Sequence, residues 1–381
     1  MAHAVKFSRF GGPEVLEVVE VPMPEPGEGE VVVEVFATGL NPVESAIRRG
    51  DHPDRWPVEF PASQGHDLAG VVVAVGPGDG RFSRGDEVMG YVERGAHATH
   101  IAVPESQLML KPPGLSWEVA GSLHTAGTMA WAAVEGLRLD STDTVVVTAA
   151  AGGAGCLAAQ FARLRGATVI GTSADMRFDF LRQFGIIPAA YGPRLAERVR
   201  DLAPGPVTAF LDFLGGESHE AIALGVPSSR ILTVLDWDAV EGQKAVKLSP
   251  GDVVALGRVA TLVAARRVRL PIADIFPLDD VADAYRALDR REAPGKIVLG
   301  LRIVDYPAQR VREPAIKEQD VTLGVATPHE HMYVEEAVPP AIGDGSVRRR
   351  HREEHEREEH EREEHEREAT AHTESEAPVG D

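Results

Sequence analysis

Asp143-Thr-Val-Val-Val-Thr-Ala-Ala-Ala-Gly-Gly-Ala-Gly155 decides the fold. Its first half, DTVVVTA over 143–149, is an unbroken apolar run between polar residues, the pattern of a strand buried on both faces of a parallel sheet. Its second half, AAAGGAG over 149–155, can only be a tight turn. The residues from Gly155 to Arg165 predict a helix that Gly166 ends, and ATVIGT over 167–172 predicts a second strand. A glycine-rich turn between a buried strand and a helix lets backbone amides approach a pyrophosphate at the positive end of the helix. Gly152 and Gly155 have the spacing of the second and third glycines of a dinucleotide fingerprint, with Ala150 in place of the first, and Gly153 and Ala154 lie between them.

The same alternation continues outward from this unit. Strands are expected at 207–213 and 230–235 and a helix at 253–267, so residues 125–267 read as a doubly wound α/β sheet. Towards the N-terminus the texture is short and extended, with strands at 30–38 and 70–76 and frequent turn signals, as in an irregular β-barrel. After residue 268 a helix at 281–288 and a strand at 296–301 are too little for a domain, and they are expected to complete the first one. The domains expected are therefore 1–124 with 268–303, 125–267, and a charged tail at 304–381. Within that tail, HREEHEREEHEREEHERE over 351–368 repeats every five residues and makes no apolar stripe, so it reads as disordered or as a solvated helix.

The cofactor's second end is read after the second strand. A site for NAD wants a carboxylate there; this chain has Thr172 and Ser173, followed by Arg177, which suits a 2′-phosphate and hence NADPH. Asp175 is the residue that argues the other way.

Composition excludes several classes. With 59 acidic and 39 basic side chains the net charge is −20, and no basic, aromatic-interleaved stripe is present, so nucleic acid is not an expected partner. No apolar run is long enough to span a membrane, and the N-terminal residues lack the pattern of a secretory signal, so a cytoplasmic location is expected. The single cysteine, Cys156, excludes a disulfide framework and multi-cysteine zinc sites. It opens the predicted helix and reads as packing.

Taken in order, Gly39-Leu-Asn-Pro-Val-Glu44, Gly65-His-Asp-Leu-Ala-Gly70, Gly85-Asp-Glu-Val-Met-Gly90, the AAAGGAG turn, Asp212-Phe-Leu-Gly-Gly216 and Gly295-Lys-Ile-Val-Leu299 resemble the zinc-independent medium-chain dehydrogenase/reductases of the quinone oxidoreductase (zeta-crystallin-like) group. The resemblance runs from about Ala4 to Leu301. It implies a GroES-like β-barrel catalytic domain beside a Rossmann domain, a homodimer, and a cleft holding nicotinamide and a small-molecule quinone or enone. It also implies that Asn41 lies near the nicotinamide and that Tyr191 helps hold the 2′-phosphate. Leu235, at the end of the 230–235 strand, completes the cofactor set.

Asn41, His66 and Asp67 are the catalytic candidates. Asn41 stands where zinc-dependent relatives have a cysteine, and His66 alone falls short of the three ligands of an open catalytic zinc, so no metal is expected. Without a Lewis acid the chemistry implied is reduction of an already electrophilic acceptor.

Departures from the group, such as Met129 in Gly127-Thr-Met-Ala-Trp131 and Gly95-Ala-His-Ala-Thr-His100, alter the acceptor pocket, whose candidate linings are His52, Trp56, His124 and Thr128. Quinone reductase, enoyl reductase tailoring a secondary metabolite, and non-catalytic NADPH-binding protein all stay open on the sequence.

Overall fold

The computed structural model describes residues 1–234, 246–247, 250–291 and 294–301. Leu235 and the 304–381 tail lie outside the described residues.

The central sheet has six parallel strands in the order Ile187–Ala190, Thr168–Ser173, Thr144–Val147, Ala209–Asp212, Ile231–Thr233, Val246–Lys247. The run Val145, Val146 and Val147 is fully buried at its middle, as a strand covered on both faces requires. Sequence order reverses between Thr144–Val147 and Ala209–Asp212, and the turn after the first of these opens at the crevice such sheets use for ligands.

The elements begin and end close to where the sequence places them, and the differences have local causes. The first helix runs Gly153–Leu164 rather than starting at Gly155, because Gly152 is its N-cap with extended backbone. The helix expected at 253–267 stops at Ala264, and Arg266 has turned left-handed at φ 56°. The strand expected at 207–213 is only Ala209–Asp212, because the Asp212 carboxylate accepts from the amides of Leu214, Gly215 and Glu217 and turns the chain.

A second, seven-stranded sheet is built mostly from N-terminal residues. Its long strand Glu30–Gly39 pairs antiparallel with Asp67–Val75, His100–Pro104 and Lys296–Gly300, the last of which runs parallel to Ile272–Pro277. Strands at 272–277 and 296–300 thus belong to the N-terminal sheet. A three-stranded sheet, Glu17–Val21, Ala2–Phe7 and Ala62–Ser63, stands beside it.

Gly295 brings the two sheets together. Its amide donates to Ala151 O at 2.8 Å, and it forms a parallel bridge with Gly152, so Lys296 enters its strand directly against the glycine-rich turn.

Candidate active site

The glycine-rich turn is a site made of backbone. Ala149 takes a left-handed φ of 48°, and the chain then enters the helix, whose first-turn amides have no intrahelical acceptor. A Cβ on Gly155 would lie 2.3 Å from Ala149 O, so only glycine allows the helix to pack this closely on the strand. A Cβ on Gly153 would lie 2.6 Å from Lys296 Cδ. Ala154 is partly exposed on the same turn. Ala150 is fully buried, and its amide donates to Thr172 O at 3.0 Å. Thr172 is itself buried, so neither side chain faces a ligand.

Beyond the second strand an open hollow of about 380 Å³ is lined by Ser173, Ala174, Asp175, Met176, Ala190 and Tyr191. Ser173 and Tyr191 therefore come together, with Tyr191 55% exposed, while Arg177 ends the 3-10 turn Asp175–Arg177 and is not part of that lining. Arg198 braces the Tyr191 loop, donating to Ala190 O, Tyr191 O, Gly192 O and Pro193 O. Cys156 is buried, and burial pushes its thiol up to about 12, so it is packing and not a nucleophile. These groups fit a dinucleotide: amides and a helix N-terminus for its pyrophosphate, and for its adenosine end an open hollow that carries Ser173, Asp175 and Tyr191 among apolar neighbours.

On the other side of the turn lies a buried cluster of charge. Asn41, N-terminal to the helix Pro42–Arg49, donates its amide to Glu44 Oε2 at 2.8 Å, the reciprocal half of a capping box. Its side-chain Nδ2 stands 3.3 Å from Glu44 Oε1 and 3.3 Å from Asp67 Oδ2, and its Oδ1 accepts from Lys296 Nζ at 2.6 Å. The Lys296 ammonium also donates to Leu40 O at 2.6 Å and lies 3.9 Å from Asp67 Oδ2. Asp67 accepts in addition from the amide and the hydroxyl of Thr125.

His124 Nδ1 lies 3.6 Å from Asp67 Oδ1, its ring is stacked on Tyr91 at 3.9 Å between centroids, and its Nε2 meets Gly251 O at 2.9 Å. Thr128 is buried between His124 O and the Gly251 amide. His52 and Trp56 contact each other edge to face in the loop that follows the helix Pro42–Arg49, with His52 exposed.

Glu44 anchors the outer half. His66 contributes Nδ1 at 2.9 Å and its amide at 3.0 Å to Glu44 Oε1, and Tyr285 donates its hydroxyl to Oε2 at 2.7 Å. His97 Nε2 and Gln64 Nε2 reach the same hydroxyl at 2.9 and 3.0 Å. Burial opposes the charge on Glu44, but its bonds to His66 and His97 prevail and hold it well below the usual carboxylate range. Burial likewise opposes ionisation of Asp67, and His124, Lys296 and Thr125 overcome it. Burial lowers Lys296, with Asp67 and Glu44 acting against that.

The sequence named Asn41, His66 and Asp67, and the structure brings them into one cluster. Glu44, Thr125, Tyr285 and Lys296 were missed as site residues. Asn41-Pro-Val-Glu44 carried a usable signal, since an N-cap residue, proline at N1 and glutamate at N3 predict a reciprocal cap. Tyr285 and Lys296, more than 240 residues away, carried none.

This donor set does not suit zinc. The Asn41 amide is spent on Lys296, Glu44 and Asp67, an ammonium already sits between Asn41 and Asp67, and His66 Nδ1 is committed to Glu44. Among the described residues no group of three or more His, Cys, Asp or Glu could hold a metal ion.

Residues 27–113 match the family described as alcohol dehydrogenase GroES-like domain, and residues 193–299 the one described as zinc-binding dehydrogenase. The chain is 33% identical over 264 residues, 66% of its length and 76% of the relative's, to the chloroplast envelope quinone oxidoreductase homolog of Arabidopsis thaliana. It is 29% identical over 313 residues, 77% of this chain and 78% of the other, to an NADPH-dependent alkenal/one oxidoreductase of the same plant. Among solved structures, the quinone oxidoreductase from Coxiella burnetii superposes with a TM-score of 0.73 at 27% identity, covering 79% of this chain and 99% of that one. With a GroES-like domain, a Rossmann sheet and this identity over most of its described length, the chain belongs to the quinone oxidoreductase group of the medium-chain dehydrogenase/reductase family of oxidoreductases.

Proposed function

We propose that the chain is an NADPH-dependent reductase that delivers hydride to a quinone or to the β-carbon of an α,β-unsaturated carbonyl, without zinc. The observation that carries this reading is the meeting of the two half-sites through Lys296. Its stem lies under Gly153 of the nucleotide turn, and its ammonium is bonded to Asn41 beside Asp67. The Gly153, Ala154 and Gly155 amides would hold the pyrophosphate, and Ser173, Tyr191 and Arg177 the adenosine ribose and its 2′-phosphate. NADPH supplies the hydride. The chain's own part is to position the acceptor beside the turn, exclude water and keep the polar cluster fixed, which are the main sources of acceleration when no metal polarises the carbonyl.

Zinc independence is supported by the ammonium between Asn41 and Asp67, and by the lack, among the described residues, of any three His, Cys, Asp or Glu grouped to hold a metal ion. The relatives' printed activities support both acceptor classes. A homodimer in the cytoplasm is part of the same proposal and is read by light scattering and by fractionation.

The test is oxidation of NADPH and of NADH, followed by absorbance, against a panel of quinones and enones. Turnover with NADPH in preference to NADH is expected. The Arg177→Ala variant should then lose about 1.5–3 kcal/mol of NADPH affinity and leave NADH unchanged. Tight NADPH binding with no turnover across the panel would instead support a non-catalytic NADPH-binding protein.

A further inference from the structure

The reductase reading leaves one chemical need unmet. A hydride added to the β-carbon of an enone produces an enolate, and a proton must then reach the α-carbon. His66 has the geometry to supply it. Its Nδ1 is fixed on Glu44 Oε1 at 2.9 Å, and the same oxygen takes the His66 amide at 3.0 Å, so ring and backbone are aimed together. Glu44 cannot swing away, because its other oxygen accepts from Tyr285 at 2.7 Å and from the Asn41 amide at 2.8 Å. Nε2 is the ring nitrogen left over. It has no partner among the described residues, it is absent from the buried unpartnered atoms, and the side chain is 22% accessible.

The ring is also in the right neighbourhood. Asn41 Nδ2 lies 3.3 Å both from the Glu44 oxygen that His66 holds and from the Asp67 oxygen that faces Lys296, and Lys296 lies against the nucleotide turn. We propose that His66 is the catalytic acid of this reductase, its Nε2–H protonating the α-carbon of the enolate left by hydride addition, with Glu44 and Tyr285 as positioning residues. This rests on the reductase reading above.

The step balances. The enone gains hydride at the β-carbon and H⁺ at the α-carbon, the Nε2–H bond breaks, and its electron pair remains on a neutral imidazole that still donates Nδ1–H to Glu44. Solvent water at the accessible edge restores the proton. The charged groups facing the ring are Glu44, Asp67 and Arg94. Burial opposes the imidazolium, but Glu44 outweighs it and raises the pKa above the ordinary histidine value, so the acid form persists to higher pH. Activity should therefore fall as pH rises through that value.

The experiment reduces an enone with a prochiral α-carbon in D₂O. The unaltered protein should place deuterium on one face, with kcat falling at alkaline pH. His66→Gln should lower kcat by about 100-fold, abolish the alkaline fall and give deuterium on both faces, with NADPH affinity unchanged within about 2-fold as the check on folding. Glu44→Gln, which keeps an acceptor for Nδ1 but removes the charge, should move the alkaline fall to lower pH. Independent of turnover, nitrogen chemical shifts of labelled His66 should show a neutral form protonated on Nδ1. Single-face deuteration with the alkaline fall intact in His66→Gln overturns the proposal, as does a neutral form protonated on Nε2. If the unaltered protein oxidises NADPH with no enone or quinone, the reductase reading fails and the proposal falls with it; turnover with intact stereochemistry in the variant removes His66 alone.

Discussion

The two halves of the candidate site are made in opposite ways. The nucleotide half, Ala149–Gly155, is almost all backbone: its useful groups are amides, and its side chains are chosen for what they leave out, as the 2.3 Å approach of a Gly155 Cβ to Ala149 O shows. The reaction half is almost all side chain. Glu44 and Asp67 are 0–1% exposed, Lys296 is 5% exposed, and every one of these charges is held by partners from other elements. A backbone site fails when an atom is added, whereas a buried charged site fails when one is removed.

That contrast can be broken by experiment, beginning with the charges. Lys296→Met keeps the stem's bulk under Gly153 and deletes the ammonium, leaving Asp67 without the cation nearest its Oδ2. We expect it to cost about 3–5 kcal/mol of stability in denaturant unfolding. A loss below about 1 kcal/mol would mean that the cluster is wetter than its burial states.

Acid should act on the same groups. Glu44 and Asp67 both have folded pKa values below their unfolded ones, so the stability they give is present above the unfolded values and is lost as pH falls from about 4 downward. His66 has the opposite sign: its raised value gives stability below the unfolded pKa that is lost as pH rises through the folded one. Melting temperature against pH reads both limbs, and Glu44→Gln should flatten the acid limb.

The backbone half is tested by addition. Gly155→Ala should cost about 1–3 kcal/mol through the clash with Ala149 O and should weaken NADPH more than it weakens folding. Retention of full NADPH affinity would contradict the placing of the pyrophosphate on this turn. Smaller again is Tyr285→Phe, which removes one hydroxyl from a network of Glu44, Gln64 and His97 and should cost about 1–2 kcal/mol. At the bottom of the scale, Arg182→Ala removes an exposed i,i+3 pair with Asp179 and should change stability by about 0.5 kcal/mol or less.

The same contrast explains what the sequence made legible. The Rossmann strand, turn and helix at 143–165 could be read because their determinants are contiguous: a valine run, glycines at fixed spacing, then a helix. The return of the strand at 296–300 to the first sheet could be read from what remained too short to fold alone, whereas the strand Ile272–Pro277 beside it was not anticipated. The charged cluster could not be assembled that way. Asn41, His66 and Asp67 were named through a family resemblance, but the residues that set their orientation are Glu44 and, far along the chain, Tyr285 and Lys296. Lys296 reads in Gly295-Lys-Ile-Val-Leu299 as a strand residue; only a sheet that pairs 298–300 with 37–39 shows that its side chain ends against Asn41. At the ribose end the sequence grouped Ser173 with Arg177, whereas the structure lines the hollow with Ser173, Asp175 and Tyr191. A short 3-10 turn at 175–177 separates residues that a straight strand would have kept together.

The central claim, proposed above, is that the protein transfers hydride to an already electrophilic acceptor without a metal. It is tested most directly by following NADPH oxidation with a quinone acceptor before and after exhaustive chelation, with elemental analysis of the same samples. We predict an unchanged rate and no stoichiometric zinc in either sample. A rate lost on chelation and restored by added zinc would contradict the account.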